Sequence, residues 1–426
     1  MRESLNERVA GLPQSATLAI NAQCNTLLNA GRKVYKLGLG QSPFPVPEHV
    51  VDALRLHAAE KDYLPVEGLP ALRRAVAKFH RAKDGVVVRP EDVIVGPGSK
   101  ELLFLLNLVF DGDIIVPAPC WVSYVPQARI IGRDVHLLTT DGTDRWRLNA
   151  GKLDQHLKDT AERDRARLMI LNYPGNPDGL TYDVGELAQI AEVARRHKVL
   201  LLSDEIYGQL HHRGEHTSVA RYYPEGTIIS GGLSKWCGAG GWRLGTFAFP
   251  KDLHWLLNAM AAVASETYTS VSAPIQYAAV AAFEGGAHME HYLVHCRRIL
   301  SALGGRCASM LSDAGVDVHE PIGGFYLFLD FSPLRERLAA RGIRGGRELA
   351  HALLDDTGVA ILPGADFQRP DGEFTARLAY VDFDGSRAMA ASELIALDEP
   401  LPDGFVDIHC AGMMDAMRLI ADWLKE

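Results

Sequence analysis

Cysteine is scarce and unpatterned in this 426-residue chain: six residues, at positions 24, 120, 237, 296, 307 and 410, with no Cys-x-x-Cys spacing among them. That excludes a disulfide framework and a cysteine-based zinc site, and it fits a reducing, cytoplasmic setting. Long apolar runs are missing as well, since none approaches the roughly 20 residues that span a bilayer. The stretch Met1–Glu7 has no apolar core of the kind a secretory signal carries. Charge of one sign is also absent in long blocks. The 53 acidic and 44 basic residues leave a net −9, which gives neither a nucleic-acid footprint nor a basic membrane face. No internal repeat or low-complexity segment interrupts the chain.

What is present is ordinary globular material, 47% hydrophobic and 23% charged, enough for two or three domains of about 150 residues each. Between about Val93 and Pro250, short apolar runs alternate with helical stretches. The runs 93–95, 114–116, 168–171, 199–202 and 227–229 are continuously apolar, as strands of a parallel sheet covered on both faces should be. Between two of them, Asp183 and Glu186 have capping-box spacing, and Leu187, Ile190, Ala191, Val193 and Ala194 form one helical stripe. The pattern predicts a large doubly wound α/β domain whose ligand lies beyond the carboxyl ends of the strands. The flanks read as α+β: a helix over about 292–314, strand runs at 325–329 and 377–381, and a final amphipathic helix over 413–425. Residues 385–411, with Pro400 and Pro402, read as a loop-like insertion.

The polar motifs fall at the ends of these strands. The most informative is the glycine-rich run 232–245, in which Ser234-Lys235 is followed eight residues later by Arg243. An amine with room around it, beside a planar cation suited to phosphate, is what a pyridoxal-phosphate enzyme needs. Alone, such a lysine would be a surface charge in a turn. Gly96-Pro97-Gly98-Ser99-Lys100 joins the first strand to an apolar helix, a phosphate cradle that would equally suit a nicotinamide cofactor, though a full GxGxxG is lacking. Asp204, after the strand ending at Leu202, could hold a protonated ring nitrogen or merely cap the next helix. Trp121 offers a flat face for a pyridine ring or a place in the core.

Together with Leu37–Gln41, Tyr63, Asn172–Gly179 and Arg377, these runs resemble the class I/II pyridoxal-phosphate aminotransferases of the aspartate aminotransferase family, fold type I. The resemblance runs from about Ala16 to Asp384 and resumes over the last helix. It implies a large cofactor domain at 45–289 and a small domain built from 15–44 with 290–426. It also implies pyridoxal 5'-phosphate as cofactor and no metal. Lys235 would form the Schiff base, Asp204 would hold the ring nitrogen, and Tyr207 and Asn176 would meet the phenolic oxygen. Gly98, Ser99, Lys100 (mainly by its backbone) and Arg243 would bind the phosphate, and Trp121 would stack on the ring. Gly40, Asn176 and Arg377 would receive the substrate, with Arg377 clamping its α-carboxylate. Tyr63 would reach the phosphate of a second subunit, which makes the active unit a homodimer with shared sites.

The implied reaction moves the amino group of an L-α-amino acid to a 2-oxo acid by ping-pong kinetics. A β-lyase or decarboxylase on the same fold is the alternative. A cofactor-binding regulator would need an appended DNA-binding module, and the short amino-terminal stretch shows none. Partners are small molecules, with neither nucleic acid nor membrane among them. The resembled motifs also imply cis peptide bonds at Ala118–Pro119 and Asn176–Pro177. Two departures stand out: Asp178 replaces a threonine, and 268–274 lacks the commoner Ser-Asn-Pro. No second arginine marks out a dicarboxylic substrate.

Overall fold

The computed structural model describes residues 4–161 and 165–426, so the first three residues of the amino-terminal stretch lie outside it. Its main sheet has seven strands: β1 (Val93–Gly96), β2 (Gly112–Ala118), β3 (Val135–Thr139), β4 (Ala166–Asn172), β5 (Leu200–Asp204), β6 (Thr227–Gly232) and β7 (Gly245–Ala248). Their order is β1-β7-β6-β5-β4-β2-β3. Neighbours run parallel except at β7, which is antiparallel to both β1 and β6.

The continuous apolar runs are explained by two cores, one on each face. Ile114, Val116, Leu168, Ile170 and Leu202 face one core, which also buries α1 (Ser99–Val109). Ile115, Met169, Leu171 and Leu201 face the other, which buries α2 (Val184–Arg196). Side chains alternate across a strand, so both alternates must be apolar when both faces are covered. Each fully buried Leu or Ile contributes about 1.5–3 kcal/mol relative to exposure. The expected capping box is present: the Asp183 carboxylate accepts from the Glu186 N–H, and Glu186 accepts from the Asp183 N–H, each at 2.8 Å.

A second, antiparallel sheet holds β8 (Asp317–Val318), β9 (Tyr326–Asp330), β10 (Leu362–Pro363) and β11 (Thr375–Ala379) in the order β10-β11-β9-β8. Tyr35–Lys36 pairs in parallel with Val359–Ala360, so the two ends of the chain meet beside it. The long helix α3 (Ala287–Asp313) packs here, as does the last helix, over 411–423.

The insertion is not a loop. Residues 385–411 are built around α4 (Gly385–Glu393) and α5 (Phe405–His409). Asp384 caps α4 by accepting from the Arg387 N–H at 3.0 Å, and Ala388, Met389 and Ser392 are buried. A cap and a buried face suffice for a short helix that the prolines at 400 and 402 leave untouched.

Candidate active site

The parallel strands β2, β4, β5 and β6 all end on one edge of the sheet, and a cavity of about 530 Å³ opens there. At its floor, Asp204 ends β5. Its carboxylate accepts from the Tyr124 hydroxyl at 2.6 Å and from the Ser230 hydroxyl at 3.2 Å. Burial pushes its pKa up, while these hydrogen bonds and the Ile206 N–H pull the other way without cancelling it. A buried carboxyl in this state is returned to its charged form by an adjacent cation, such as a pyridinium.

Lys235 follows β6 and donates to the Gly40 carbonyl at 2.8 Å. Its ammonium lies 5.7 Å from the Tyr207 ring and 5.8 Å from that of Phe325. Burial, then the charges of Arg377 and Arg243, lower its pKa to about 8. An amine so poised is a nucleophile near neutral pH.

At one end of the cavity, α1 starts without a side-chain cap, so its first N–H groups are free for an anion. Arg243 adopts a left-handed conformation, φ 55°, and donates to the Gly240 and Pro97 carbonyls at 2.9 and 3.3 Å. A Cβ at Gly98 would fall 2.2 Å from the Arg243 guanidinium, and one at Gly245 would fall 2.1 Å from the Ser99 nitrogen. Only glycine at both positions lets helix start and guanidinium converge. An uncapped helix terminus beside a guanidinium fits a phosphate.

At the other end Arg377, on β11, is 1% exposed. It donates to the Asn176 side-chain oxygen at 2.9 Å and to the Gly38 carbonyl, while its Nε has no partner. Its guanidinium lies 4.6 Å from the Tyr326 ring. Asn176 is presented by a local turn in which Asn172 accepts from its N–H at 2.8 Å.

Of the sequence-derived positions, Gly40, Ser99, Lys100, Trp121, Asn176, Asp204, Tyr207, Lys235, Arg243 and Arg377 line this cavity. Gly98 stands directly behind Arg243. Tyr63 is not brought in, being 90% exposed on the surface of the single chain. Lys100 also turns its side chain into the cavity, with the ammonium 5.0 Å above the Trp121 ring. Gly40 gives its carbonyl to Lys235, and its missing Cβ makes room for the Tyr326 hydroxyl. One expectation needs correction. The second cis bond is Tyr173–Pro174, beside the expected one at Ala118–Pro119. Asn176 is placed by the Asn172 turn and needs no cis bond of its own.

Sequence reasoning missed Tyr124, Tyr326 and Asn172. Tyr326 meets the Tyr207 hydroxyl at 2.8 Å. Its one signal is a hydroxyl inside the apolar run 325–329.

A profile of the family described as aminotransferase class I and II matches residues 32–380. This chain belongs to that family. Aspartate aminotransferase of Geobacillus stearothermophilus is 35% identical over 386 residues, covering 88% of this chain and 94% of the relative. Aspartate/prephenate aminotransferase of Thermus thermophilus is 33% identical over 371 residues, covering 85% and 91%. A solved structure of aspartate aminotransferase from Thermus thermophilus with maleate has a TM-score of 0.83 at 29% identity, covering 99% of this chain and 100% of that one. The protein is a fold type I aminotransferase, from a family that depends on pyridoxal phosphate and acts on amino and 2-oxo acids.

Proposed function

We propose that this aminotransferase holds pyridoxal 5'-phosphate covalently through Lys235 and takes a dicarboxylic L-α-amino acid as donor. Asp204 would face the ring nitrogen and Trp121 the ring. Tyr207 and Asn176 would meet the phenolic oxygen, while Ser99, the α1 terminus and Arg243 would hold the phosphate. When bound, the cofactor supplies an electron sink for the pair released from the substrate Cα–H bond.

The chain's own residues do the rest. Arg377, with its unpartnered Nε, receives the α-carboxylate as a bidentate pair. The Lys235 amine, held at about 8, takes the α-proton and returns it as general base and acid. Tyr207 and Trp121 line the cavity and would wall the reacting carbon from water. The second carboxylate is assigned to Lys100, and this observation carries the substrate proposal. Its ammonium faces the cavity, and its pKa is lowered by burial and by Arg243, with no acidic group among the causes. A lone desolvated cation stabilises an incoming anion. That the relatives are named aspartate aminotransferases supports the same reading.

An amino-donor screen with 2-oxoglutarate tests it. Aspartate or glutamate should lead, and Lys100→Ser should lower kcat/KM for them by roughly tenfold or more, the scale of one hydrogen bond to a charged group. Uncharged donors should lose little. A wild type that prefers uncharged donors, or a variant equally impaired on all, would overturn the assignment.

The enzyme is further read as a cytoplasmic homodimer. All six cysteines are free and buried, and no helix among the described residues is long and apolar enough to cross a membrane.

A further inference from the structure

Helix α3 carries His288, His291 and His295 in its first turns. His291 and His295 are four residues apart and so share a face. Their Nε2 atoms are hydrogen-bonded to each other at 3.3 Å, with ring centroids 4.5 Å apart and planes at 61°, a contact a bridging ion would replace. Two nitrogens at that separation, each roughly 2.1 Å from a shared zinc ion, subtend about 104°, close to the tetrahedral angle.

A second observation bears on the same pair. The His295 Nδ1 lies 2.8 Å from the Ser392 hydroxyl of α4. A hydrogen bond at the far nitrogen is what orients a metal-ligating imidazole and fixes its tautomer. With Nδ1–H donating to Ser392, the lone pair of Nε2 is turned toward His291. His295 is 1% exposed, with its Nε2 turned to that of His291. His291 is exposed, which gives ions and water access from outside.

We propose that His291 and His295 form a binding site for one borderline divalent transition cation, such as Zn²⁺ or Ni²⁺, with water completing the coordination. Imidazole pairs select such ions over Mg²⁺ and Ca²⁺, which take oxygen ligands. Through Ser392 the site is coupled to the packing of α4 against α3. The insertion and the histidine pair thus form one local unit, away from the cofactor cavity.

Isothermal titration of tag-free holoenzyme with ZnCl₂ and NiCl₂ tests this. Wild type should bind one equivalent of either in the micromolar range and should not bind MgCl₂ at the same concentrations. His291→Ala, a change at an exposed position, should lose that equivalent. Ser392→Ala should keep it with affinity weakened about 10–100-fold, as for loss of an outer-shell partner. His288→Ala should be neutral. Unchanged binding in His291→Ala would overturn the proposal and point elsewhere, to the buried Asp84, Glu205 and His216 group for example. Loss of binding in His288→Ala with retention in His291→Ala would overturn it too, as would the absence of binding to wild type.

Discussion

Burial and the charges of Arg377, Arg243 and Lys100 act on Lys235 in one direction, and Asp204 opposes them. The folded-state pKa of about 8 lies below the ordinary lysine value of 10.5. Between these values the unfolded chain binds a proton that the folded cofactor-free protein does not. Its stability contribution therefore rises with pH across that window and is flat below it. Lys235→Met removes the titrating group while keeping most of the volume. The cofactor-free wild type should gain on the variant by up to roughly 3 kcal/mol as pH goes from about 7.5 to 10.5, since each pKa unit is worth about 1.36 kcal/mol. Urea midpoints of both proteins at the two pH values measure it. A gap that does not change with pH would mean the amine is not desolvated as described. The same depression suits the amine to chemistry at neutral pH, so cost in stability and competence in proton transfer have one source.

At the level of elements, legibility follows burial. Strands β1, β2, β4, β5 and β6 are readable because both faces are covered and their central residues form continuous apolar runs. Strand β3 is not: it is an edge strand, with Leu137 and Thr139 exposed and His136 only half-buried. Strand β7 is not readable either, because Gly245 and Thr246 leave it without a continuous apolar run. The site is legible where a motif sits at a strand end, as with Asp204, Asn176 and Lys235. It is not legible where function depends on long-range packing. Tyr124 reaches Asp204 across 80 residues of sequence, and Tyr207 reaches Tyr326 across 119. The insertion reads as a loop because its prolines outweigh one quiet signal, Asp384 ahead of a short apolar face. That signal has an energetic counterpart. Asp384→Ala, which removes the acceptor for the Arg387 N–H, should destabilise by about 0.5–2 kcal/mol, and Asp384→Asn by much less. Denaturant midpoints distinguish the two, and equal losses would mean that the carboxylate acts by charge and not as a cap.

For the whole molecule, exposed groups are the starting point. Tyr63 is 90% exposed and Leu56 is 78% exposed. Arg243, which converges on the phosphate end of the cavity, is itself exposed in the single chain. A two-fold related copy would cover such a rim, because an isologous interface brings the same patch from each subunit to the other's site. We read Tyr63 as completing the partner's phosphate end. Tyr63→Phe should then weaken cofactor retention by roughly 1.5–3 kcal/mol, the scale of a hydrogen bond to a charged acceptor. The sharper test mixes Lys235→Ala with a Tyr63-defective variant under conditions that exchange subunits. In a shared-site dimer the hybrid has one cavity with both defects and one with neither, so activity lost in each parent returns in part. Different affinity tags on the two variants, purified in succession, confirm that hybrids form. Verified hybrids that stay inactive, or an active monomer, would leave Tyr63 as a surface aromatic and each cavity as complete within its own chain.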